Sequence, residues 1–412
     1  MDILVYADWK GLDLPTLMGT LSVRHTRGHE IFAFSYEKQW VKTGHAQTLD
    51  PDLQFFDGPQ FLTGGKPNFG LFLDSSPDRW GRVLMDRREA ILAKKENRKI
   101  RPLFEEDYLL GVYDAHRMGA LRFKSEENGP FLNDNKGLAA PPWTSLRELE
   151  FASIQLEQNV LKEDEILKWI NMLIAPGASL GGARPKASVI DEKGQLWIAK
   201  FPSVKDRVDI GAWEMVVNEL AEQAGVTIAK GMARIFNSEQ HTFLSRRFDR
   251  TARGERIHFA SAMTLLGQTD GTPGASYLQL AEFILQNSAS PNADLEELWR
   301  RIIFYIAVNN TDDHLRNHGF LLTPDGWTLS PAYDVNPVYF GTGLTLNISE
   351  TDNALDWELA RSVAGYFRIK ETQATEIIAQ TRKVVGQWPK IASKYKIKRS
   401  EKELMAQAFE KK

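Results

Sequence analysis

Apolar and polar positions alternate from the start of the chain. Ile3 to Tyr6, Gly19 to Val23 and Ile31 to Phe34 have the two-residue period of short strands, separated by glycine and charged turns. At Asp78-Arg79-Trp80-Gly81 the period becomes helical and runs to about Lys95, with Leu84, Ala90 and Ile91 on one face. Phe104 to Val112 reads as another short helix. Lys124 to Thr144 breaks the pattern. It is polar, rich in Gly, Asn and Pro, ends in Pro141-Pro142, and reads as a linker or long surface loop. Helices are expected at Ser145 to Gln158 and Glu163 to Leu173. A glycine-rich loop, Ala175 to Lys186, then leads into a hairpin of Ala187 to Asp191 and Gln195 to Phe201, turning at Lys193-Gly194. The pattern next predicts a helix over Gly211 to Gly225 and strands at Ile228 to Phe236 and His241 to Phe248. Beyond His258 the chain is mostly helical, with Ser276 to Gln286, Leu295 to Val308 and Gln373 to Trp388. The loop region Asn309 to Asn336 lies among these helices and holds a hairpin of Phe320 to Leu322 and Trp327 to Leu329.

Strands first and helices second predict an α+β protein with two unlike lobes and a ligand cleft between them. No internal repeat is visible. Composition narrows the function classes. There are 51 Lys and Arg against 54 Asp and Glu, a net charge of -3, with 42% apolar residues and 11 Trp. These values exclude a fibre, a low-complexity scaffold and a strongly basic nucleic-acid coat. The absence of cysteine excludes disulfides and thiolate metal sites and fits a reducing compartment. The N-terminus reads as a strand and not as a signal peptide. Ile302 to Val308, the longest apolar run in the C-terminal half, is about a third of a membrane span. A cytoplasmic, soluble protein with no membrane partner is therefore expected.

Three stretches carry candidate chemistry. In the glycine-rich loop, Ser179, Gly181 and Gly182 precede Lys186; exposed N–H groups and a lysine are what a phosphate needs, although the loop lacks the GK[ST] ending of a Walker A motif. Lys200 sits in the apolar strand Leu196 to Phe201, where an ammonium requires a partner or an anionic ligand. The following helix supplies Glu214 and Asn218-Glu219. A strand lysine with a helix glutamate is the protein-kinase arrangement for holding the α/β-phosphates. The densest signal is Asn309 to His318. Asp312 precedes Asn317 by five residues, the spacing of a kinase catalytic loop, in which the carboxylate takes the hydroxyl proton and the amide holds a metal. Asp334 follows 17 residues after Asn317, across the hairpin, where a second metal carboxylate would stand. The rival reading is a zinc or iron site built from His314 and His318 with Asp312 and Asp313. Arg87-Arg88, Lys94-Lys95 and Lys99 to Arg101 are the best candidates for a DNA-contacting patch, against a solvated helix face.

Taken in order, these motifs resemble the HipA family of serine/threonine kinases, toxins of bacterial toxin–antitoxin pairs. Val5-Tyr6, Gly19-Thr20-Leu21 and Phe72 to Asp78 look like the family's small N-terminal domain. Ser179 to Lys186 looks like the loop with the phosphorylatable serine. Lys200-Phe201-Pro202, Asn218-Glu219, Arg247-Phe248-Asp249-Arg250, Asp312 to Asn317 and Asp334 resemble the remaining family motifs. The resemblance implies a two-lobed, protein-kinase-like fold. Its parts would be an N-terminal domain (1–123), a linker (124–144), an ATP-binding N-lobe-like region (145–250) and a helical C-lobe with the catalytic loop (251–412).

The resemblance also implies roles. Asp312 would be the catalytic base, and Asn317 and Asp334 would bind Mg²⁺. Lys186, Lys200, Glu219, Arg247, Phe248, His314, Asn317 and Asp334 would line the ATP site, with adenine held mainly by the backbone near Ser245 to Phe248. Autophosphorylation of Ser179 would add negative charge to that loop, expel it and stop the enzyme. Implied partners are a small helix-turn-helix antitoxin, operator DNA through that partner, and a protein substrate such as an aminoacyl-tRNA synthetase. The alternatives are a small-molecule kinase and a catalytically decayed partner in a repressor complex. Where family members often carry Gly, Gln and an acidic residue, this chain has Asp313, Arg184 and Arg246. Asp313 thus stands beside Asp312 as a second possible base, and the spacing to Asn317 favours Asp312.

Overall fold

The computed structural model describes residues 1–26, 28–43, 47–62, 64–158, 163–174, 182 and 184–410. It is a mixed α and β protein with two compact units. One comprises Met1–Val204 and Arg247–Thr269, the other Lys205–Arg246 and Asp270–Lys412.

The first unit begins with a five-stranded antiparallel sheet. Its strands are β1 (Asp2–Ala7), β2 (Thr16–Thr26), β3 (His29–Tyr36), β4 (Gln60–Phe61) and β5 (Leu121–Lys124), in the order β4-β3-β2-β1-β5. The alternation seen in the sequence is the reason. Ile3, Val5 and Ala7 point into the core with Leu21, Val23, Phe32, Phe34 and Phe123, while the intervening residues stay more accessible. Helix α1 (Arg79–Lys95) starts at Asp78, whose carboxylate caps Gly81 N–H at 2.9 Å. Its buried stripe is Leu84, Met85, Glu89 and Ala93, whereas the expected Ala90 and Ile91 are only half-buried. A short helix, α2 (Glu105–Gly111), follows.

Residues 124–144, expected as a linker, are built into this unit. Leu132 N–H donates to Phe123 O at 2.8 Å, Ala140 N–H to His116 Nδ1 at 2.8 Å, and Ile190 N–H to Pro141 O at 3.1 Å. Leu138 is buried. Backbone groups satisfied by protein and not by water mark a fixed segment. Helices α3 (Leu146–Gln158) and α4 (Glu163–Ile174) and the hairpin β6 (Lys186–Ile190) and β7 (Leu196–Lys200) complete the expected elements. Every residue of β7 is buried, so its apolar run has no polar alternation.

The second unit opens with α5 (Ile210–Gln223) and the hairpin β8 (Gly231–Ile235) and β9 (His241–Arg246). Gly211 lets the helix lie directly on β9, since a Cβ there would stand 2.0 Å from His241 O. Strand β8 begins later than the sequence suggests. Residues 227–229 pair instead with Ala332: Ala332 N–H donates to Thr227 O at 2.8 Å and Ala229 N–H to Ala332 O at 2.9 Å. Helices α6 (Tyr277–Asn287) and α7 (Pro291–Val308) lead to the hairpin β10 (Gly319–Thr323) and β11 (Gly326–Leu329). Near the end, α8 (Glu371–Val385) stops before Trp388 and α9 (Trp388–Lys394) restarts the chain, because Pro389 lacks an N–H and fits only a first turn. Helix α10 (Arg399–Met405) follows. Among the described residues no helix is long and apolar enough to cross a membrane.

Candidate active site

The last turns of α7, from Ile302 to Val308, are almost wholly buried, and Asn309 ends the helix in the left-handed region at φ 57°. Its amide donates to Val338 O at 2.6 Å and Gly341 O at 3.0 Å, and Asn310 Oδ1 accepts from Asn336 N–H at 3.0 Å. The loop after α7 is thereby tied to the segment that follows Asp334. Asp334 also has a positive φ, 57°, a conformation that aspartate tolerates better than most residues. Its Oδ1 accepts from Asn336 Nδ2 at 3.2 Å. The pairing of Ala332 with residues 227–229 anchors this segment from the other side.

Within the loop the two adjacent aspartates have opposite surroundings. Asp312 is exposed, and its carboxylate has no hydrogen bond or ion pair among the described residues. Partial burial of that carboxyl raises its pKa above the usual aspartate value; His314 and Arg316 pull it down, Asp334 and Asp313 push it up. Asp313 is buried, and one oxygen accepts from both Tyr277 OH and His318 Nε2. An exposed carboxylate can take a proton from a substrate, whereas one already engaged by two donors inside the protein cannot. The geometry therefore selects Asp312 over Asp313 as the candidate base.

Asn317 lies in a short 3₁₀ turn, Leu315–Asn317, buried to 3% exposure. Its Nδ2 donates to Asp312 O at 3.1 Å, which leaves Oδ1 as a buried acceptor with no donor among the described residues. A hard oxygen without a donor among the described residues is of the type that suits Mg²⁺. His314 caps this turn through its carbonyl, which accepts from Asn317 N–H at 2.8 Å. The zinc alternative finds no support in the geometry of the described residues. Among the described residues the one group of three His, Asp or Glu ligand atoms that converges is His25, Glu30 and Glu106, and His318 Nε2 is spent on Asp313.

Other expected site residues have different positions. Lys186 is 2% exposed, and its ammonium is 2.7 Å from Asp78 Oδ2, the carboxylate that caps α1. Its ammonium is thus held in a buried ion pair. Lys200 lies opposite it in the β6–β7 register and is 6% exposed. The Glu219 carboxylate accepts from Lys394 Nζ at 2.6 Å and from Tyr395 OH, so it is held by the C-terminal segment.

The Arg247 guanidinium is buried against Asp249 and donates to His116 O and Arg117 O, so it can contribute to nucleotide binding only through its backbone. Phe248 packs on Phe259 with ring centroids 6.0 Å apart. In the candidate DNA patch, Arg87 donates to Leu156 O, Arg88 to Asn171, and Arg101 pairs with Asp107, so these arginines serve the fold. Ser179 lies outside the described residues. Tyr277 escaped the sequence reading as a site residue, and His318 entered it only as a candidate zinc ligand. His318 stood next to Asn317, but nothing local marked Tyr277.

Residues 178–388 match the family model of the HipA-like C-terminal domain. The chain is 28% identical over 180 residues to a putative kinase of Haemophilus influenzae, an overlap of 38% of this chain and 52% of that protein. It thus spans about half the length of that curated relative. The HipA, HipB and operator DNA complex of the Shewanella oneidensis toxin–antitoxin system contains a chain of similar fold. That match has a TM-score of 0.64 at 17% identity and covers 99% of this chain and 96% of the other. The family model spans just over half of the sequence and includes Asp312, Asn317 and Asp334, and the chain belongs to the HipA-like C-terminal domain family.

Proposed function

We propose that this chain is an ATP- and Mg²⁺-dependent serine/threonine protein kinase, the toxin of a toxin–antitoxin pair, able to phosphorylate its own Ser179. The observation that carries the reading is the contrast within one loop. Asp312 is exposed and unpaired among the described residues, and five residues on, Asn317 keeps a buried oxygen without a donor. Asp312 accepts the proton of the acceptor hydroxyl as that oxygen bonds to the γ-phosphorus, and the bond to the β-phosphate oxygen breaks to release ADP. Asn317 and Asp334 hold Mg²⁺, which neutralises charge on the phosphates. Lys200 is assigned to the phosphates of ATP. The similarity to a putative kinase and the fold shared with a chain from a HipA, HipB and operator DNA complex support the reading. On that basis the proposed partners are a helix-turn-helix antitoxin and, through it, operator DNA. The proposed location is the cytoplasm, with a protein such as an aminoacyl-tRNA synthetase as substrate.

Calorimetric titration with ATP tests the metal assignment. Binding is expected to depend on Mg²⁺ in the wild type and to weaken at least about 10-fold in Asp334→Asn. Equal Mg²⁺-dependent affinity in the variant would remove Asp334 from the site.

A further inference from the structure

We infer that Asp313, Tyr277 and His318 form a buried clasp that sets the spacing between Asp312 and Asn317. In this role they are positioning residues for metal-dependent transfer. The inference rests on the kinase reading above and deepens it. Asp313 directly follows the proposed base, and His318 directly follows the proposed metal ligand. The hydrogen bond between them, His318 Nε2 to Asp313 Oδ2 at 2.8 Å, therefore closes the loop at both ends of the functional spacing. A parallel tie runs from Asn317 Nδ2 to Asp312 O at 3.1 Å.

Tyr277 fixes the clasp in space. Its hydroxyl donates to the same Asp313 oxygen, and its ring meets the His318 ring edge-on, with centroids 5.8 Å apart. It is the first residue of α6, held by the Ser276–Gln279 capping box and by its own N–H on Asn347 O at 3.0 Å. The three side chains are at most 1% exposed.

Packing alone does not account for this group. A buried carboxylate is costly, and apolar residues of similar volume would fill the space with less penalty. Asp313 Oδ1 and His318 Nδ1 even lack partners among the described residues. Directional bonds to one oxygen provide orientation, which apolar packing does not. Orientation is what an in-line transfer needs, since a displacement of about 1 Å can cost 10²-fold in rate.

The test measures Mn²⁺ affinity by the electron paramagnetic resonance of free Mn²⁺, with a non-hydrolysable ATP analogue present. It is paired with kcat and the KM for ATP at saturating metal. Wild type is compared with His318→Ala, His318→Gln and Tyr277→Phe. Glutamine can present its amide nitrogen near the position of Nε2. We expect His318→Ala to weaken Mn²⁺ binding and lower kcat by about 10-fold or more, with His318→Gln recovering most of both. Tyr277→Phe, which removes one hydroxyl and keeps the packing, should lower kcat by about 3- to 10-fold with the KM for ATP unchanged. It decides the matter if His318→Ala does not fold. Variants that match wild type in Mn²⁺ affinity and kcat would overturn the clasp and leave the kinase reading standing. His318→Gln as defective as His318→Ala would assign the residue to packing and also overturn it. A wild type that binds no Mn²⁺ with the nucleotide would overturn both readings together.

Discussion

Replacing Asp312 with asparagine is expected to lower the rate of phosphoryl transfer by about 10²- to 10⁴-fold, the usual contribution of a positioned general base. Mg-ATP affinity and thermal stability should stay near wild type. The side chain is exposed and supports nothing else among the described residues, so its loss removes a proton acceptor and little structure. Stopped-flow or quench-flow single turnovers, read beside nucleotide titrations, separate these effects. The pH profile gives a second check. Partial burial raises the Asp312 carboxyl, so it becomes the competent base only above the ordinary aspartate range. The acid limb of kcat/KM should lie correspondingly higher in pH, and activity should rise as pH rises through it. Asp313→Asn behaving as Asp312→Asn is expected to, with Asp312→Asn fully active, would reverse the assignment of the base.

The largest loss of stability is expected at Asp249. Its carboxylate is completely buried between Arg247 and Arg250 and also accepts from Gly119 N–H at 2.9 Å. Burial alone would raise this carboxyl, but the two guanidinium groups outweigh it and hold the pKa at about 2. Asp249→Ala would leave two buried arginines without their anion, a change that costs about 3–5 kcal/mol. Urea denaturation followed by tryptophan fluorescence should show the first transition moving to markedly lower denaturant. The pH dependence has a definite sign. A carboxyl depressed by folding stabilises above its unfolded pKa of roughly 3.8, and that stability is lost as pH falls towards 2. Acid should therefore separate wild type from the variant less than neutral pH does.

Much of the fold was legible because the relevant signals are local. Alternation placed Ile3, Val5 and Ala7 inward, and the shift to a helical period at Asp78 marked the start of α1. In the candidate site, the residue types and the five-residue spacing singled out Asp312 and Asn317 as candidates without any fold. What escaped was long-range. The ion-pair partner of Lys186, Asp78, lies 108 positions earlier in the chain and could not be read from the glycine-rich loop. Within the segment Arg247 to Arg250, the two arginine side chains anchor residues 115–119, more than 120 positions away, a role no local pattern shows. The difference between Asp312 and Asp313 could not be seen from two identical adjacent side chains. Burial under Tyr277 and His318 created it. Residues 124–144 have a linker's composition, yet hydrogen bonds to His116, Phe123 and Ile190 hold them in place.

In the proposed function this chain transfers the γ-phosphoryl group of ATP to a serine, first of all its own. The most direct measurement incubates dephosphorylated, folded wild type with γ-labelled ATP and Mg²⁺ and locates the phosphate by mass spectrometry. Label is expected on Ser179, lost when Mg²⁺ is omitted and absent in Asp312→Asn. Folded wild type that binds no Mg-ATP and acquires no label would contradict the proposed function.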